Sequence, residues 1–179
     1  MALYKPVFLT LVALLAWSAG AQTKAPAKAS TPAGVQNATV VEPGTEKWGA
    51  VPAAALVGTP SVEMGGTLRL AVIQGDPTKP GRTYTLRLSC TDGVKIAPHW
   101  HPTTENVTVV KGGAAVGMGS KWDDAALQNV PAGGFFSAGP QMRHFAQCKG
   151  DTILQVHGIA PFVVNFVSPD ESEPPKNPK

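Results

Sequence analysis

The stretch Gly93-Val-Lys-Ile-Ala-Pro-His99-Trp-His101-Pro-Thr-Thr-Glu105-Asn-Val-Thr-Val-Val-Lys-Gly112 decides how this chain is read. On a β-strand successive side chains alternate between faces, so His99 and His101 point the same way and Trp100 points away from them. Pro102-Thr103-Thr104 turns the chain, and Glu105 opens the next apolar alternation, where it can fold back beside the two imidazoles. Two imidazoles and a carboxylate converging from a strand and its return outline a divalent metal site.

The flanks of this stretch carry the same punctuation. Leu68–Ile73 precedes Gly75-Asp76-Pro77, Thr83–Cys90 precedes Asp92-Gly93, and Glu105–Lys111 precedes Gly112-Gly113. Ala114–Met118, Leu127–Val130, Gly134–Ala138, Met142–Cys148, Asp151–Gly158 and Phe162–Val167 follow as further short strands. No segment sustains a helical apolar period, and only one helical turn is expected, around Asp123–Leu127. Many short strands at this spacing predict an all-β sandwich or closed barrel.

Composition agrees. Of 179 residues, 19 are Gly and 17 Pro, and only 15% are charged, which disfavours a helix bundle or coiled coil. The length fits one domain. The formal net charge is +3, but several of the lysines lie near the ends, and 46–167 holds ten Lys/Arg against eight Asp/Glu with no basic run. A nucleic-acid partner, which needs a clustered basic stripe, is not expected.

The ends read differently from the middle. Lys5, an apolar run from Val7 to Trp17 and the small-residue pattern Ala19-Gly20-Ala21 predict a secretory signal over 1–21, cleaved after Ala21. The run is too short to span a bilayer, so no stable membrane span is expected after cleavage; the alternative is an uncleaved N-terminal anchor. Residues 22–45 are rich in Ala, Pro, Thr, Ser and Lys and read as a disordered linker. A single domain over 46–167 and a flexible tail over 168–179 complete the expected organisation. Export places the chain in the periplasm or outside the cell.

The run from Gly93 to Gly112 resembles the first cupin motif, G-x5-H-x-H-x3-4-E-x6-G, with every fixed position filled. The segment Gly133 to Cys148 is similar to the second, G-x5-P-x-G-x2-H-x3-N, with His144 at the ligand position. It departs at Gly139 (Pro in the pattern), Gln141 (Gly) and Cys148 (Asn). The resemblance covers about 46–169 and extends to small exported single-domain cupins. It implies a jelly-roll barrel, also called a double-stranded β-helix, in which His99, His101, Glu105 and His144 hold one divalent transition metal: Mn, Fe, Ni, Co or Zn. Pairing into a homodimer is implied by the resemblance alone.

A jelly roll with His99 opposite His144 aligns Val94 with about Lys149. Setting Thr83–Cys90 beside Asp151–Gly158 brings Cys90 near Cys148. These are the only two cysteines, and in an exported chain they form a disulfide candidate. Two separate buried thiols, or Cys148 as a further metal ligand, are the alternatives. His157 and Gln155 share a half-polar strand face that either lines the cavity or meets solvent. They and Phe136 and Met118 are the candidates for second-layer or substrate contacts, with the core as the ordinary reading of the last two.

Four protein ligands on an octahedral ion leave two positions for substrate or O2. The sequence therefore predicts an exported metal-dependent cupin acting on a small oxygenated molecule, dioxygenase- or decarboxylase-like. A non-enzymatic binder of a small molecule or metal ion in the cell envelope, and a barrel whose polar residues are satisfied without metal, are the alternatives.

Overall fold

Apolar alternation along the chain sets up strands, and pairing merges several of them. The computed structural model describes residues 39–168, 170 and 171. The expected signal at 1–21, the linker up to residue 38 and most of the tail lie outside the described residues. The strands are β1 (Gly49–Ala50), β2 (Leu56–Val57), β3 (Leu68–Gly75), β4 (Thr83–Cys90), β5 (Lys95–Trp100), β6 (Glu105–Met118), β7 (Gln128–Pro131), β8 (Phe135–Ala138), β9 (His144–Ile159) and β10 (Val164–Phe166). Single 3-10 turns at Ala53–Ala55 and Asp124–Ala126 are the helical elements among the described residues. The second is capped by Asp123, whose side chain accepts from the Ala125 N–H.

These strands form one curled sheet of jelly-roll type, in the order β1-β3-β4-β9-β5-β10-β2, with β6 pairing β7, β8 and β9. β9 organises the barrel. Its first residues pair with β5, its later ones with β4, and its other edge with β6 along nearly its whole length. Thr83–Cys90 lies antiparallel to Thr152–Ile159, as the sequence predicts.

Two expected turns are absent. Gly112-Gly113 and Lys149-Gly150 were natural breaks between strands, yet each lies inside a continuous strand, β6 and β9. The β6–β9 register slips between Val109 and Lys111 and again between Lys111 and Gly113. The glycines serve these bulges, where the paired strands bend together. At Gly112, with φ +70°, a Cβ would stand 2.7 Å from the Asp151 carbonyl oxygen, so only glycine fits.

The inner face of the sheet is apolar. Leu86, Val107, Val109, Leu154 and Val156 are buried, joined by Phe162, Val164 and Phe166 from the C-terminal segment. Each fully buried side chain of this kind contributes about 1.5–3 kcal/mol of hydrophobic stabilisation. Residues 49–68 close one side of this core. β1 pairs with β3 and β2 runs parallel to β10, while Val51, Val62, Met64 and Leu68 pack inward.

Cys90 and Cys148 form a disulfide, with Cα atoms 6.4 Å apart. Both are buried against Val94. Neither alternative for these cysteines survives this pairing. At the far end, the Glu171 N–H donates to the Ser168 carbonyl, and Glu171 pairs with Arg143. Glu171, within the expected tail, thus contacts the domain.

Candidate metal centre

His99 lies on β5, His101 follows its last residue, Glu105 opens β6 and His144 opens β9. The backbone brings these four together in two ways. His99 and His144 are direct cross-strand partners. The Gln141 N–H donates to the His101 carbonyl at 2.8 Å, tying the turn before β9 to the chain just past β5. Gln141 adopts φ 60°, the left-handed conformation that glycine favours. The departure from the expected glycine at this position therefore leaves the turn intact at the cost of local strain.

The register between β5 and β9 differs by one residue from the sequence expectation. Ile96 faces Ala146 and His99 faces His144, with an irregularity between them. Val94 consequently lies opposite Cys148, whose N–H donates to the Val94 carbonyl, rather than opposite Lys149. Pro98 lies within this irregularity and has no N–H to donate to a ladder.

All four side chains are buried, and one ligand atom from each lies within 4.8 Å of every other. The three imidazoles are oriented by main chain. His99 Nδ1 lies 2.7 Å from the Ala97 oxygen, His101 Nδ1 2.7 Å from the Val163 oxygen, and His144 Nδ1 3.0 Å from the Met142 oxygen. A carbonyl only accepts, so each Nδ1 carries the hydrogen, and each neutral ring presents a bare lone pair at Nε2. His144 Nε2 lies 3.1 Å from Glu105 Oε2, and His101 Nε2 lies 3.4 Å from Glu105 Oε1. The His101 Nε2 atom has no hydrogen-bond partner, although it is buried. Lone pairs set against a carboxylate in a dry interior call for a positive charge between them. Ligand atoms about 2.0–2.1 Å from an ion stand at most about 4.2 Å apart, so a divalent transition ion fits this set with small adjustments. Fixing Nδ1 by a backbone acceptor is the usual outer support of a metal-binding histidine.

These four groups line a cavity of about 180 Å³. Its remaining lining is apolar and includes Leu88, Ile96, Val107, Phe136, Leu154, Val156 and Phe162. Phe162 also stacks on His101, with ring centroids 5.4 Å apart.

No family model and no curated protein matches the sequence. Solved structures do. An RmlC-like cupin from Shewanella frigidimarina is 21% identical, over 54% of this chain and 79% of its own, with a TM-score of 0.44. KdgF from Halomonas is 15% identical, over 55% of this chain and 84% of its own, with a TM-score of 0.43. A candidate acetylacetone dioxygenase from Methylibium petroleiphilum is 20% identical, over 76% of this chain and 85% of its own, with a TM-score of 0.55. This is a cupin fold.

Within the cupin barrel the proposed contact residues divide. Phe136 lines the cavity. Gln155 and His157 do not, because Leu154 and Val156 point inward and alternation turns their neighbours outward. Gln155 accepts from Arg87 Nε at 3.2 Å, and His157 is exposed in an outer groove. Met118 is also outside the cavity. It is the last residue of β6 and remains 49% exposed. Trp122, just before the second 3-10 turn, packs its ring 5.0 Å from that of Phe145 and lies under the Lys95 ammonium.

The sequence reading missed the wall residues Met64, Phe162 and Phe166. The last two were findable, since Phe162, Val164 and Phe166 alternate on one face. Met64 was not, because it stands alone between Gly and Glu in a stretch without period.

The electrostatics of the four-residue cluster follow from burial and proximity. Burial and the neighbouring His144 and His101 hold His99 well below its ordinary pKa, hence neutral. For His101 burial favours the neutral ring, but the Glu105 charge outweighs it and raises the pKa above 6.5. Burial opposes ionisation of Glu105 as well, but His101 and His144 hold its carboxyl well below the usual range. A protonated ring cannot ligate, so protons compete with a metal at His101. The apparent metal affinity is expected to be flat above the His101 pKa and to fall about tenfold per pH unit below it. Because that pKa is raised, the fall begins above pH 6.5. Competition titration with a chromophoric chelator across pH 5–8 measures it; an affinity independent of pH over that range contradicts the assignment.

Proposed function

We propose that this chain is an exported, mononuclear metal-dependent cupin enzyme that acts on a small oxygenated molecule, by oxygenation or decarboxylation. The observation that carries the reading is the convergence of three Nε2 lone pairs and one carboxylate, each ring held by a backbone carbonyl, in the wall of an otherwise apolar cavity. A divalent ion held there would supply Lewis acidity or one-electron chemistry to a bound oxygen atom. The chain's own residues do the rest. His99, His101, His144 and Glu105 form the holding set. Val107, Leu154, Val156 and Phe162 supply the apolar wall beside it. Export rests on the N-terminal sequence pattern alone.

A second reading has one observation in its favour. Apart from the four proposed ligands, the cavity lining contains no ionisable side chain, so no separate group is placed to take or give a proton. A binder of a small molecule or metal ion needs none. The two separate by experiment. Protein loaded with Fe(II) or Mn(II) is assayed for oxygen uptake and substrate loss across small phenols, diketones and hydroxy acids. Turnover supports the enzyme. Stoichiometric metal with tight ligand retention and no turnover replaces it with the binder. Failure to hold any divalent metal removes the enzyme and the metal binder, and leaves only a binder of an uncomplexed small molecule.

A further inference from the structure

The cavity wall carries information about charge that the metal set alone does not. A divalent ion held by three neutral imidazoles and one carboxylate leaves one net positive charge at the centre. Everything else that lines the cavity is hydrocarbon, thioether or glycine: Met64, Leu88, Ile96, Phe136 and Val156 are representative. A charge buried in such surroundings is costly unless it is matched. A ligand with one negative charge closes the balance. A dianion overshoots it and would need a cationic partner, and no Lys or Arg lines the cavity. A sugar or polyol would leave hydroxyls facing hydrocarbon, where each unpaired one is penalised.

Size narrows the class further. The cavity measures about 180 Å³. An apolar cavity of about 150 Å³ holds one benzene ring. A body of one ring, or an equivalent branched chain, fills the space.

We propose that the site selects a singly charged, oxygen-chelating ligand with a hydrocarbon body of about one ring, and discriminates against dianions and polyols. The inference rests on the metal-binding reading above and names its substrate class. The selectivity comes from the wall, not from the ion.

The test uses the zinc-loaded protein, because zinc is redox-inert and leaves the probe intact. Binding of tropolone, malonate and threitol is measured by calorimetry. The affinity ratio of tropolone to malonate is compared with that for free zinc in the same buffer. The ratio on the protein is expected to exceed the ratio on free zinc by about tenfold or more, with no threitol binding. Met64→Lys, which places a cation in the wall, is expected to bring the ratio back toward that of the free ion. If zinc binds in stoichiometric amount and malonate keeps its free-ion ratio, the wall does not select and the inference is overturned. Equal tropolone affinity with and without zinc also overturns it, since the chelate would then play no part. Absence of zinc binding overturns the metal reading itself, which is a separate result.

Discussion

His144→Ala is expected to lower the metal content of the loaded, desalted protein to below about a tenth of wild type, and to abolish the rise in melting temperature that metal gives. The argument is geometric. His144 is the ligand contributed from β9, and its Nε2 is one of two that face the Glu105 carboxylate. Removing even an outer-layer partner of a metal ligand costs about 10–100-fold in affinity, and removing a ligand itself costs at least as much. Metal that binds only the native state at a hundred times its dissociation constant stabilises by about 2.7 kcal/mol, and that increment disappears with the affinity. His157→Ala is the matched control. That imidazole is exposed and lies outside the cavity, so its metal content and metal-dependent melting shift stay those of wild type. Atomic absorption and calorimetry on both variants read the outcome. Equal metal content in His144→Ala and wild type would remove the site.

Reduction of the Cys90–Cys148 bridge, or its replacement by alanine at both positions, is expected to cost on the order of 4 kcal/mol of folding stability. The bridge spans 58 residues of sequence, and cross-linking a loop of that length removes a large share of the unfolded chain's freedom. The closed loop contains β5, β6, β7 and β8 and all four site residues. Below the lowered melting temperature the barrel's hydrogen bonds still position the ligands, so metal content per folded molecule stays unchanged. Urea unfolding with and without reductant measures the stability, and metal analysis of the reduced, folded protein measures the second quantity. An identical midpoint under both conditions would contradict the structural role of the bridge.

Much of the site was legible because it is local. His99 and His101 share a face by a period of two, and Glu105 returns beside them because Pro102 and the two threonines turn the chain. His144 stood out only through its resemblance to a motif. Its pairing with His99 is made across 44 intervening positions, and no local period reports such a contact. The fold class was legible in the same way, from the density of short strands and breakers. Its connectivity was less so. Glycine marks a turn and a bulge alike, so Gly112-Gly113 and Lys149-Gly150 read as ends of strands that in fact continue. β1 and β2 are two residues each, and they are strands only because β3 and β10 lie beside them. The outward direction of Gln155 and His157 depended on which face of β9 meets the core, and that is fixed by the sheet as a whole.

The groups that aim the three rings are peptide oxygens of residues 97, 142 and 163. A point substitution changes a side chain and leaves those oxygens in place. The cavity wall can therefore drift from one amino acid to another, and the chemistry it admits can drift with it, while the aim of the imidazoles is inherited unchanged. A barrel arranged in this way is free to diversify what it accepts long before it loses the means to hold an ion.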